Sequence, residues 1–105
     1  KIDTYHVQQL AYILDKMKSI QEGDATLLDN SMVVFGAGIS DGDRHNHDDL
    51  PIILCGKGGG RLPVAGHYQF ANNTPMNNLF VTMLDKMGVD CEKLGDSNGE
   101  LKELL

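Results

Sequence analysis

Between residues 40 and 51 the chain reads Ser-Asp-Gly-Asp-Arg-His-Asn-His-Asp-Asp-Leu-Pro. Carboxylates and imidazoles stand at alternate positions: Asp41, Asp43, His45, His47 and Asp49. In an extended segment, alternate side chains project to the same side. Asp combined with neutral His is a ligand set for zinc, manganese or iron, whereas all-oxygen sets suit magnesium or calcium. The pattern makes His47, Asp41, His45 and Asp43 candidate ligands for a divalent metal, zinc or manganese before calcium. Gly42 argues against one continuous extended face. The same residues can instead form a solvated loop tied by side-chain-to-backbone hydrogen bonds. A calcium-binding EF-hand is a poor match, since its required Gly and Glu would fall on Asn46 and Ile52.

Two apolar runs flank this loop. Met32-Val33-Val34-Phe35 and Pro51-Ile52-Ile53-Leu54-Cys55 read as strands buried on both faces, with Pro51 tolerated because it opens its strand. Polar side chains at the end of a buried strand are where α/β proteins place their chemistry. The turn Gly56-Lys57-Gly58-Gly59-Gly60 follows. Its backbone N–H groups are of the kind that cradle an anion, with Lys57 and Arg61 as assisting cations. It lacks the Lys-Ser/Thr ending of a nucleotide-binding loop, so a flexible connection between strands is the better reading.

Helices must hold these strands. Val7, Leu10, Ala11, Leu14, Met17 and Ile20 recur at helical spacing and predict a helix from about Tyr5 to Gln21, capped by Asp3 or Thr4 and stopped by Gly23. Thr74-Pro75 signals the start of a second helix with the stripe Leu79, Phe80, Met83, Leu84 and Met87, ended by Gly88. Residues 61–70 suggest short strands on either side of Ala65-Gly66. Residues 90–105 read as a loop with a terminal helical turn. The expected class is α/β: part of an α/β sandwich with two buried strands, two amphipathic helices and a small peripheral β segment.

At 105 residues the chain is one domain or a portion of a larger one. It starts at Lys1 in a helical pattern with no initiator Met, signal peptide or transit segment, and reads as a fragment. A net charge of −6 with scattered Lys and Arg argues against nucleic acid and anionic lipid as partners. No apolar run is long enough to span a bilayer. The sequence sets no oligomeric state. Cys55 and Cys91 fit no zinc or redox spacing, and Cys55 reads as a buried small hydrophobe, with pairing left open. His6 and His67 stand apart from the loop, and neither Ser31 nor Ser40 has a base beside it.

The run from Leu27 to Gly60, containing Arg-His-Asn-His-Asp-Asp-Leu-Pro, resembles the C-terminal part of the bacterial HXXSHH-motif family of unknown function. Thr74 to Val89 and Gly95-Asp-Ser-Asn-Gly99 resemble it too, in matching order. The motif that names the family does not occur in this chain. The resemblance therefore implies a missing N-terminal portion as partner, and a periplasmic or extracellular setting.

More distantly, His47 to Gly56 resembles the last element of the alkaline phosphatase and sulfatase superfamily, a His shortly before an apolar strand that ends in Gly. That likeness implies His47 as a metal ligand and Asp41 as the next candidate. The superfamily's Asp-His pair is absent, because Asp41 precedes Gly42. The implied function is a metal-dependent phosphate- or sulfate-ester hydrolase whose nucleophile lies outside this chain. The alternative is a non-catalytic exported binding or structural domain, with or without a structural calcium site.

Overall fold

Residue by residue, the first helix starts earlier than its apolar spacing suggests. In the computed structural model, which describes residues 1–63 and 66–105, α1 runs Ile2–Ser19. Lys1 holds the cap position, and its carbonyl accepts the Tyr5 N–H at 3.1 Å. Asp3 is inside the first turn, where a carboxylate complements the helix dipole without capping. Ile20 turns to extended backbone, and Gln21 enters a strand.

That strand, β1 (Gln21–Glu22), pairs antiparallel with β2 (Ala25–Thr26). Gly23, at φ 62, is the first residue of the two-residue turn between them. Such hairpin turns require positive φ at that position. Gly23 therefore turns a hairpin, where sequence alone suggested a helix stop.

The segment after β2 closes the end of α1. Leu27 N–H donates to the Ile20 carbonyl at 2.9 Å and Leu28 N–H to the Met17 carbonyl at 3.3 Å. Carbonyls in the last turn of a helix lack intrahelical donors and need such partners. Leu10 is buried, while Leu14 and Met17 are half-buried. Val7 and Ile20, expected on the same inner face, are exposed.

Strands β3 (Val33–Gly36) and β4 (Ile52–Cys55) pair antiparallel, with Val33 opposite Cys55 and Gly36 opposite Ile52. Both apolar runs form strands, as expected from β-branched content. Their coverage is lower than expected. Val33, Val34 and Phe35 are half-buried and Ile53 is 42% exposed. Strands are buried on both faces only where layers pack above and below the sheet, and the exposure of Ile53 shows that this ladder is not enclosed in that way.

The chain divides into two compact units, Lys1–Gly59 and Gly60–Leu105. In the second, Thr74 does not cap a helix. Its hydroxyl and its N–H both donate to the Ala71 carbonyl, beside Asn73 at φ 64. Pro75 and Met76 form a tight lead-in turn, and α2 runs Asn77–Lys86. Gly88, at φ 78, ends it: Gly88 N–H donates to the Asp85 carbonyl and Val89 N–H to the Leu84 carbonyl. This is the paired bonding of a Schellman motif. Arg61 adds a guanidinium bond to the Lys86 carbonyl.

The buried face of α2 is rotated from the predicted stripe. Asn78, Leu79, Val81 and Thr82 are buried, while Met87 is 66% exposed. Leu101 and Leu104, the latter in a 3-10 turn at Lys102–Leu104, complete this core. The expected terminal helical turn is that one. Among the described residues of 61–70 there is no strand, and Val64 and Ala65 lie outside the described residues. The small β segment is instead the β1–β2 hairpin. Two helices and two small two-stranded antiparallel sheets make this a mixed α/β architecture, as expected. Among the described residues no helix is long and apolar enough to cross a membrane.

Candidate functional site

Residues 37–51 join β3 to β4, and the loop is folded on itself. Asp41 begins this folding. Its Oδ1 accepts the N–H groups of Asp43 at 2.9 Å and Arg44 at 3.3 Å, while its carbonyl accepts His45 N–H at 2.8 Å. A carboxylate that bonds the backbone two and three residues on makes a turn. Asn46 then closes the loop. Its Oδ1 accepts the Ser40 hydroxyl at 2.9 Å and Asp41 N–H at 3.1 Å, and its carbonyl accepts Ser40 N–H at 3.0 Å.

This turn removes the alternation on which a shared ligand face depends. Asp41, Asp43, His45 and His47 are all exposed, and the fold does not gather them. Among the described residues no three His, Cys, Asp or Glu side chains converge to hold a metal ion. The second oxygen of Asp41 lies 3.8 Å from Arg44 Nε, a solvent-exposed pair that salt screens.

His47 differs from the other three. Its Nδ1 bonds the Gly38 carbonyl, across the neck of the loop. A carbonyl can only accept, so Nδ1 carries the proton and Nε2 of the neutral ring is left as a lone-pair donor. Metal-ligating imidazoles are held in this way, with the distal N–H given to a carbonyl or carboxylate. The flanking backbone is unusual as well. His45 and Asp49 have φ of 52 and 51, the left-handed region that non-glycine residues rarely adopt. Asp tolerates it better than His.

The glycine-rich turn is also committed. Gly58 N–H donates to the Ser31 carbonyl at 3.0 Å and Gly59 N–H to the Asp29 carbonyl at 2.9 Å, so neither faces an anion. Lys57 Nζ is 2.8 Å from Asp29 Oδ1. The other Asp29 oxygen accepts the Thr26 N–H at 3.0 Å and the Thr26 hydroxyl at 2.9 Å. Lys57, then the two Thr26 donors, hold the Asp29 carboxyl far below the usual carboxylate range. Lys57 is therefore a structural tie. Thr26-Leu-Leu-Asp29 has the Ser/Thr-x-x-acid spacing of a capping box, a signal that would have located this pair from sequence.

Cys55 and Cys91 are free thiols. Cys55 is half-buried, and burial pushes its thiol pKa up, which disfavours the reactive thiolate.

A shallow cleft of about 240 Å³ in the second unit is lined by Phe70, Thr74, Asn78, Leu101 and Lys102, among others. None of the metal candidates borders it. Comparison of the chain with models of known protein families, with curated proteins and with solved structures finds no match.

Proposed function

We propose that this chain is the C-terminal portion of an exported protein of the phosphate- or sulfate-ester hydrolase type, to which it contributes one metal-ligating imidazole, His47. The supporting observation is the His47 Nδ1 bond to the Gly38 carbonyl, which leaves Nε2 free in the exposed loop that joins β3 to β4. Two left-handed residues, His45 and Asp49, bracket that imidazole, and strained backbone of this kind clusters at functional sites. A bound zinc or manganese ion would polarise the ester oxygen. The nucleophile and the other ligands belong to the N-terminal portion of the protein. Asp41 shapes the loop in this reading, because its Oδ1 already accepts two backbone N–H groups. The setting is periplasmic or extracellular.

The closed Asp41–Asn46 network supports a second reading, in which the loop only shapes a non-catalytic exported domain. Metal analysis of the full-length gene product and its His47→Ala variant separates the two. The hydrolase reading expects bound zinc or manganese that is lost, with ester hydrolysis, in His47→Ala. Metal content and activity unchanged by that substitution would overturn it. Calcium retained in the variant would indicate a structural ion held by oxygens. No metal in either protein would leave the purely structural loop.

A further inference from the structure

We propose that Asn98 is a deamidation site, and that its amide pair with Asn78 restrains the reaction while the second unit is folded. Asn98-Gly99 is the one Asn-Gly step in the chain. Asn98 is exposed to water, and Gly99 has φ 149 with open space where a Cβ would project. Glycine thus leaves the approach to its nitrogen unshielded.

The chemistry needs only water as co-reactant. The Gly99 amide nitrogen attacks Asn98 Cγ, forming an N–Cγ bond. The Cγ–Nδ2 bond breaks, and ammonia leaves with the proton from the attacking nitrogen. Water then opens the cyclic imide. Cleavage at the side-chain carbonyl yields an ordinary aspartate in place of Asn98. Cleavage at the main-chain carbonyl yields isoaspartate, whose backbone runs through Cβ and Cγ.

Folding opposes the first step. Asn78 Nδ2 donates to Asn98 Oδ1 at 2.9 Å, and Asn98 N–H donates back to Asn78 Oδ1 at 3.0 Å. Asn78 is itself buried on α2, so the reciprocal pair has a fixed base. A carboxamide pinned in one rotamer lacks the rotation that ring closure requires. The pair also holds the tail against α2, three residues before Leu101 enters the core. Isoaspartate at this position lengthens that backbone and so disturbs the native tail attachment, whereas the aspartate product keeps the backbone N–H that donates to Asn78.

The test is timed peptide-mapping mass spectrometry of the full chain in mildly alkaline buffer. It compares folded wild type, wild type in urea, Asn78→Ala and Asn78→Asp. Asn78→Asp keeps the acceptor for Asn98 N–H and removes the donor to Asn98 Oδ1. In urea, Asn98 is expected to convert fastest of all the asparagines. In the folded wild type its conversion should be roughly tenfold slower, the factor that opening one or two net hydrogen bonds imposes. Asn78→Asp with native circular dichroism should recover most of that factor, even if Asn78→Ala fails to fold. Equal rates in folded and unfolded wild type, or no gain in folded Asn78→Asp, would overturn the proposal.

Discussion

The hydroxyl of Thr82 accepts the backbone N–H of Leu101 at 2.8 Å, and it donates to the Asn78 carbonyl at 2.8 Å. Thr82 is 0% exposed. One buried oxygen thus anchors the C-terminal segment to α2. Thr82→Val keeps the shape and removes the acceptor, leaving Leu101 N–H without a partner. The expected loss is about 1–3 kcal/mol in urea unfolding, with Thr82→Ser losing less because the bond survives. Equal stability of the Val variant and wild type would show that the bond contributes nothing.

Gly56 is required by geometry. It has φ 94, and a Cβ there would lie 2.0 Å from the Ser31 carbonyl oxygen. Gly56→Ala should cost more than about 2 kcal/mol, from backbone strain and collision together. Gly42, by contrast, faces open space without positive φ, and Gly42→Ala should stay within about 0.5 kcal/mol. Thermal melts of the two variants make the comparison, and similar melting temperatures would refute the steric argument.

Acid should act through Asp29. Its folded-state pKa is depressed by Lys57 and by the Thr26 N–H and hydroxyl. The stabilisation it supplies is therefore fully present above the ordinary Asp value of about 3.9 and fades as pH falls below it toward the depressed value. Asp29→Asn should be less stable than wild type at neutral pH and flatten the acid limb of the stability curve. Parallel pH profiles for the two proteins would exclude this linkage.

His45 occupies left-handed backbone at φ 52. Glycine adopts that conformation without steric cost, so His45→Gly should raise stability by up to about 1 kcal/mol. The gain should be smaller for Asp49→Gly, since Asp accepts the same region more readily. A His45→Gly protein that unfolds earlier in urea would show that the imidazole makes a contact worth more than the strain.

Local pattern sufficed for α1, for the body of α2, for both apolar strands and for the Gly88 stop, because each is decided by spacing, branching or a glycine's φ within a few residues. It also located the loop that carries His47. Three things required the folded chain. The stripe of apolar residues on α2 did not predict its buried face, because the covering tail bonds through Asn78 and Thr82, and a hydrophobic pattern is blind to polar partners. The carboxylates and imidazoles of the loop alternate in sequence but do not gather, because Asp41 and Asn46 draw the backbone into a turn and break the period of two. Lys57 and the glycine turn are bonded to Asp29 and Ser31, groups distant in sequence. Residue types determine what chemistry is available, and the long-range bonds decide which groups are still free to perform it.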